Sequence, residues 1–151
     1  DYTPRKKNKM IFVNEALPLP SICTLIENKL LSGMNSLKPQ LTPDSVYFSA
    51  GLADLWHGIL MQYYMEDGDK YDSHTDNGQF SSILFFNQEP KNFTGGELEF
   101  PHYNILIPFK NNCGIIFPSQ VQHRVLPVTQ INKDTDDGGR LSVTMFSGTI
   151  Q

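Results

Sequence analysis

The sequence is poor in cysteine, and it has no long apolar run. Cys23 and Cys113 lie far apart and match no metal-ligand spacing, so we expect two free thiols in a reducing compartment rather than a single disulfide. No uninterrupted apolar stretch is long enough to span a bilayer, and the N-terminal region lacks the apolar core of a signal peptide. The sequence therefore predicts a cytoplasmic protein with no membrane partner.

Positive charge is also scarce. Lysine and arginine number 12 against 16 aspartate and glutamate residues, which gives a formal net charge of −4. Non-specific nucleic-acid binding needs clustered cations, so nucleic acid is not an expected partner. The one basic run, residues 5–9, is short, and we interpret it as a solvated terminus rather than a binding arm.

What is present is a globular composition in a chain of 151 residues, with 39% hydrophobic and 11% aromatic residues. This is the size of one ordinary domain and is enough to form a substantial core. We therefore expect residues 1–151 to form a single domain.

The hydrophobic pattern predicts one helix followed by many short strands. An initial strand at residues 11–13 precedes a helix that Ser21 caps and Gly33 ends. The polar segment 130–139 is expected to be a solvent-exposed loop. Repeated strands separated by turn residues favour a sandwich or a barrel. The predicted strands are 58–64, 81–86, 97–100, 104–107, 114–117, 123–128 and 141–146.

A histidine and an aspartate two residues apart, His74 and Asp76, form the first candidate site. In an extended segment, alternate side chains share a face, so both can point at one metal ion. A second imidazole completes the facial triad of non-haem Fe(II) oxygenases, and His123, on a later strand across the barrel, is the candidate. His57 and His102 have no such partner and are expected to be surface or rim residues.

Arg140, Ser142 and Thr144 alternate along the last predicted strand and should share one face. A planar guanidinium suits the far carboxylate of 2-oxoglutarate, because its fork donates two parallel hydrogen bonds. Ser142 would assist, and Thr144 would add a further hydroxyl. Arg124 is the rival cation, but as the neighbour of His123 it should point to the opposite face.

Together these motifs resemble the prolyl 4-hydroxylase-like 2-oxoglutarate/Fe(II) oxygenases. The resemblance is carried by residues 62–64, 68–76, 94–98, 117–125 and 139–142 in the family's order. It implies a mainly β fold, a double-stranded β-helix (a cupin-like jelly roll) with one or more N-terminal helices packed against it. It also implies iron held by His74, Asp76 and His123, and 2-oxoglutarate held by Arg140.

The resemblance implies further partners. Dioxygen and 2-oxoglutarate would be consumed, with succinate and carbon dioxide released as the substrate is hydroxylated. Ascorbate would keep the iron reduced. Tyr64 stands where the family often has a tyrosine near the co-substrate, and Tyr63 would then face away.

Two features depart from the family's pattern. Arg140 follows His123 by 17 residues, an unusually long interval, so segment 130–139 resembles an insertion. Phe85 stands where some relatives carry a tyrosine that binds the co-substrate, which would shift that role to Ser142 or Thr144.

The substrate remains open at this stage. Peptidyl proline is the first choice by resemblance, while a free amino acid, another small molecule or a nucleobase are alternatives. The fold alone would also permit a non-catalytic cupin-like binding module. A zinc hydrolase could use the same three ligands, but it gives Arg140 and Ser142 no role.

Overall fold

The computed structural model describes residues 6–13, 20–37, 57–131 and 138–148. One long helix, α1, spans Pro20–Leu37, and a 3₁₀ turn spans Pro101–Tyr103. The strands are β1 (Lys6–Lys7), β2 (Lys9–Phe12), β3 (His57–Tyr64), β4 (Lys70–His74), β5 (Phe80–Phe86), β6 (Phe93–Gly95), β7 (Leu98–Phe100), β8 (Ile105–Ile107), β9 (Cys113–Pro118), β10 (His123–Val125), β11 (Val128–Gln130) and β12 (Arg140–Ser147).

The strands form two facing five-stranded antiparallel sheets. The larger sheet has the order β2-β3-β12-β5-β9, and the smaller has the order β1-β4-β10-β7-β8. A separate pair joins β6 to β11. Strands that are distant in sequence are neighbours in each sheet, as in a double-stranded β-helix, and the predicted fold class is confirmed.

The sequence of β12 shows how one strand serves two surfaces. Arg140, Ser142 and Thr144 point into the space between the sheets, where they line a cavity. Val143 and Met145 point the other way, into an apolar cluster. This alternation follows from the two-residue period of a strand.

Apolar residues form a core on each face of the larger sheet. Between the two sheets lies an aromatic-rich cluster that includes Phe93, Phe100 and Phe117. On the outer face, Leu30 of α1 packs with residues of β3 and β12 and with Val13. The predicted N-terminal helix therefore does cover the barrel.

Several predicted boundaries were wrong. The helix begins at Pro20, before Ser21, and continues through Gly33 to Leu37. Space around Gly33 is open, and a glycine inside a helix costs only about 1 kcal/mol relative to alanine, so it does not end the helix. The first predicted strand, 11–13, is instead Lys9–Phe12.

The polar segment 130–139 is not simply an exposed loop. Gln130 belongs to β11 and donates a side-chain hydrogen bond to the carbonyl of Met65 at 2.9 Å. Gly138 and Gly139 are buried beside β12. Residues 132–137 lie outside the described residues.

The basic run was also misinterpreted as a solvated terminus. Lys6 and Lys7 form β1, which pairs with β4. The Lys7 ammonium lies 3.6 Å from carboxylate oxygens of both Glu66 and Asp69. Arg5 lies outside the described residues.

The side chain of one of the two cysteines belongs to the described residues. Cys113 is a free thiol, as expected. Cys23 belongs to α1, but its side chain lies outside the described residues.

Candidate metal centre and co-substrate cavity

Three potential metal ligands converge at one end of the smaller sheet. One donor atom each from His74, Asp76 and His123 lies within 4.8 Å of the others. Nε2 of His74 is 3.5 Å from Oδ1 of Asp76, and Nε2 of His123 is 3.5 Å from Oδ2. The structure thus brings together all three residues that the sequence nominated.

Strand pairing explains the two histidines. His74 ends β4, and His123 begins β10, its antiparallel neighbour; the two residues are paired in register. Their ring centroids are 4.3 Å apart. His123 therefore lies on the adjacent strand, and the expectation that it comes from across the barrel was wrong.

Asp76 is positioned by a turn rather than by a strand. It lies two residues beyond the end of β4, so strand alternation does not reach it. Its backbone N–H donates to the carbonyl of Ser119 at 2.9 Å, which fixes the chain where it leaves the sheet.

Backbone carbonyls orient both imidazole rings. Nδ1 of His74 lies 2.8 Å from the carbonyl oxygen of Asp72, and Nδ1 of His123 lies 2.9 Å from that of Val121. A carbonyl only accepts, so each Nδ1 carries the hydrogen and each Nε2 presents its lone pair to the centre. Metal-binding histidines typically have such partners.

The charge states also suit a cation. Burial raises the pKa of the Asp76 carboxyl, but the neighbouring His74, the hydrogen bond from Ser81 and the neighbouring His123 outweigh this, and the pKa falls below its usual value. Burial lowers the pKa of His123. A carboxylate and neutral imidazoles are the forms that bind metals.

Two buried serines, which sequence reasoning missed, support the aspartate. The Ser81 hydroxyl donates to Oδ2 of Asp76 at 2.6 Å and lies 3.0 Å from the hydroxyl of Ser119. Both serines are fully buried. They come from β5 and from the turn after β9, so no local motif reveals them.

We expect Ser81→Ala to weaken metal binding by about 10-fold, because partners that orient a ligand typically contribute about 10- to 100-fold to affinity. Titration of the protein with Mn(II) or Fe(II) under anaerobic conditions measures this. Ser82→Ala, a buried serine on the opposite face of β5, is the matched control. Equal metal affinities of wild type and Ser81→Ala would show that this hydrogen bond does not orient Asp76 for metal binding.

Arg140 lies at the closed end of the cavity and is 1% exposed. Its Nε donates to the carbonyl of Gly96 at 2.8 Å, and one Nη donates to the Ser142 hydroxyl at 3.1 Å. The guanidinium carbon is 4.7 Å from the ring centroid of Tyr64 and 5.2 Å from that of Phe85. These contacts hold the guanidinium plane in place.

The charge of Arg140 has no carboxylate within ion-pair distance among the described residues. Burial lowers its pKa, while nearby Tyr64 and Glu97 act in the opposite direction. A guanidinium stays charged in proteins and has five N–H donors. Buried charge without a partner is costly, so this end of the cavity is suited to an anion.

One cavity connects the three potential metal ligands to Arg140. It has a volume of about 340 Å³, within the roughly 300–1,000 Å³ typical of small-ligand sites. Its lining includes the three potential metal ligands together with Arg140, Ser142 and Thr144. Lys6 and Gln62 also line it, and the sequence had not indicated either of them.

Two other candidate residues, Tyr64 and Arg124, are not among the described residues that line the cavity. Tyr64 is buried beside Arg140 and accepts a hydrogen bond from Gln62. Burial raises its pKa to about 12. Arg124 is exposed and ion-paired with Glu99, so it faces away as expected.

Of the remaining histidines, His102 is exposed and contacts Gln122, as expected for a surface residue. The side chain of His57 lies outside the described residues.

Gly96 lets the arginine side chain pass. Its φ is +75°, and a Cβ there would lie 2.8 Å from Cδ of Arg140. Gly96→Ala is expected to destabilise the fold by about 1–3 kcal/mol and to weaken 2-oxoglutarate binding, because the new methyl group displaces Arg140. Thermal unfolding and ligand titration measure the two effects, with Gly33→Ala as the control. Unchanged 2-oxoglutarate affinity would contradict a coupling between Gly96 and Arg140.

A double-stranded β-helix with two histidines and an aspartate at one end and a buried arginine at the other defines an Fe(II)/2-oxo acid oxygenase type of site. The family model described as the 2OG-Fe(II) oxygenase superfamily matches residues 59–148. The chain belongs to this superfamily and is a 2-oxoglutarate-dependent dioxygenase.

Solved prolyl hydroxylases share the fold. The viral collagen prolyl hydroxylase from Paramecium Bursaria Chlorella virus-1 is 15% identical, with a TM-score of 0.59 over 95% of this chain and 80% of that one. A Pseudomonas putida prolyl-4-hydroxylase is 19% identical, with a TM-score of 0.58 over 95% and 70%. A prolyl 4-hydroxylase from Phytophthora capsici is 18% identical, with a TM-score of 0.56 over 92% and 47%. No curated protein sequence matches the chain.

Proposed function

We propose that His74, Asp76 and His123 bind Fe(II), and that Arg140 binds the far carboxylate of 2-oxoglutarate. The observation that carries this proposal is the single cavity that joins the three ligand side chains to a buried arginine without a carboxylate partner among the described residues. Ser142 accepts from Arg140, which leaves its own hydroxyl hydrogen free to donate to the same carboxylate. Thr144 lies one alternation further along β12 and extends this polar surface.

The bound iron would supply the activation of dioxygen that couples decarboxylation of 2-oxoglutarate to hydroxylation. The protein's own residues position and shield the reactants. His74, Asp76 and His123 would supply three ligands, so that the co-substrate and dioxygen could also reach the ion. Phe93, Phe100 and Phe117 exclude water behind the site, which strengthens the electrostatic interactions inside it. Tyr64 packs against Arg140, and its contact with the co-substrate stays a prediction.

For the substrate, we propose peptidyl proline. The support is the fold shared with three prolyl hydroxylases and a cavity whose lining includes the exposed residues Thr75 and Asn77. A free amino acid, another small molecule and a nucleobase are the alternatives, and the experiment below separates them.

The test is incubation of the protein with Fe(II), 2-oxoglutarate and ascorbate, together with proline-containing peptides, free amino acids or nucleosides. Mass spectrometry should show a gain of one oxygen atom on proline in the peptide samples. His74→Ala should give none, and His102→Ala, an exposed histidine, should behave as wild type. Oxygen gain on a free amino acid or a nucleobase alone would replace peptidyl proline as the substrate.

Four predictions from the sequence stay predictions. They are that ascorbate sustains activity, that residues 1–151 form one domain, that nucleic acid is not a partner, and that the protein is cytoplasmic. Within the part of the chain that the structure describes, no helix combines the length and apolarity needed to cross a membrane.

A further inference from the structure

A lysine from the N-terminal strand lines the cavity. Lys6 lines the cavity together with Met10 and Phe12, so residues of β1 and β2 form one of its walls. The pairing of Lys6 with Tyr71 in β4 places the lysine beside the strand that ends in His74. Arg140 is fully buried, whereas Lys6 is half-buried.

The Lys6 ammonium contacts the aromatic ring that stacks on one of the proposed metal ligands. Its Nζ is 4.3 Å from the centroid of the Tyr71 ring, and this ring stacks on the imidazole of His74 at 3.6 Å between centroids. A cation over an aromatic face is stabilised, so Tyr71 holds the Lys6 ammonium one ring away from His74. The ammonium therefore has a defined position in the cavity.

No carboxylate lies within ion-pair distance of Lys6 among the described residues, in contrast to Lys7, which has two. Burial lowers the pKa of Lys6, and the charge of Asp76 offsets this only in part. Once Asp76 binds a divalent cation, even this compensation weakens. The ammonium is thus a half-buried cation that lacks a counter-charge.

The site with Fe(II) and 2-oxoglutarate bound would also lack one negative charge. Lys6 and Arg140 each contribute one positive charge, Asp76 contributes one negative charge, and the two histidines are neutral ligands. Fe(II) adds two positive charges and 2-oxoglutarate two negative ones. One positive charge then remains unbalanced, and Lys6 is the lining cation without a counter-charge in this sum.

We propose that Lys6 is a specificity residue that pairs with a carboxylate of the substrate, next to the carbon that is hydroxylated. This inference rests on the proposed function of the same site. Two sources of carboxylate fit: an acidic side chain beside the target residue in a peptide, or the α-carboxylate of a free amino acid. Lysine suits either, because its ammonium is a point charge without a fixed hydrogen-bonding plane.

Matched neutral and anionic probes test the proposal. The first pair is a capped peptide with glutamate next to proline and the same peptide with glutamine. The second pair is N-acetylproline and its amide. Each probe is added to wild type, Lys6→Gln and Lys9→Gln with Fe(II) and saturating 2-oxoglutarate, and succinate formation gives kcat/KM for the probe. Lys9 is an exposed lysine of β2 outside the cavity, so its variant controls for net charge.

Wild type and Lys9→Gln should prefer the carboxylate member of one pair by about 10-fold, as expected for a half-buried ion pair, and Lys6→Gln should lose that preference. The pair that shows it identifies the source of the carboxylate. No preference in wild type, no stimulation by any carboxylate probe, or a preference that survives Lys6→Gln would overturn the assignment. Failure of wild type to convert 2-oxoglutarate at all would instead overturn the proposed function.

Discussion

Asp76→Ala is expected to abolish succinate formation from 2-oxoglutarate and to lower Fe(II) affinity by more than about 100-fold. Losing a residue that only orients a ligand already costs about 10- to 100-fold, and Asp76 is the one carboxylate of the proposed ligand set. Its removal also leaves the Ser81 hydroxyl without its acceptor. Anaerobic metal titration and succinate detection measure the two losses separately.

Asp72→Ala is the matched control. Asp72 lies on β4, four residues before Asp76, and its partly exposed carboxylate pairs with Lys70 at 2.9 Å. The backbone carbonyl that orients His74 is kept in this variant, so metal binding should persist. If Asp76→Ala formed succinate at the wild-type rate, the proposed metal centre would be wrong, and a non-catalytic cupin-like module would become the better interpretation.

Arg140→Lys is expected to weaken 2-oxoglutarate binding by about 10- to 150-fold while leaving Fe(II) affinity nearly unchanged. Lysine keeps the charge but loses the planar fork, and losing one charge-assisted hydrogen bond costs about 1.5–3 kcal/mol. The lysine would also lose contact with the carbonyl of Gly96, which Nε of Arg140 now reaches. Titration of 2-oxoglutarate into the metal-loaded protein measures the affinity.

Arg124→Lys and Lys110→Ala serve as controls for the register of β12. Both residues are exposed, and Arg124 is ion-paired with Glu99 outside the cavity. Both variants should therefore bind 2-oxoglutarate like wild type. A normal affinity in Arg140→Lys combined with a loss in either control would move the co-substrate site to another surface.

Local patterns in the sequence were sufficient to nominate the three potential ligands and Arg140. His74 and Asp76 are two residues apart, and the alternation of β12 places Arg140, Ser142 and Thr144 on one face whatever its neighbours are. The long interval before Arg140 did not disturb this alternation. Part of the interval is β11, which pairs with β6.

Long-range contacts could not be predicted in this way. β1 pairs with β4, and Ser81 meets Ser119 across 38 residues, so neither Lys6 nor the serines had a local signal. The short basic run was hydrophilic enough to resemble a solvated terminus. Its role depends on which strand pairs with it, and hydropathy does not encode that partner.

The central claim is that the cavity uses dioxygen to decarboxylate 2-oxoglutarate, and isotope labelling tests it most directly. Protein, Fe(II) and 2-oxoglutarate are incubated under ¹⁸O₂, and the succinate is analysed by mass spectrometry. Loss of carbon dioxide leaves a new carboxylate whose added oxygen must come from the oxidant. We expect wild-type succinate to carry one ¹⁸O atom and Asp76→Ala to yield no labelled succinate. Unlabelled succinate from wild type, or the same labelled yield from Asp76→Ala, would contradict the claim.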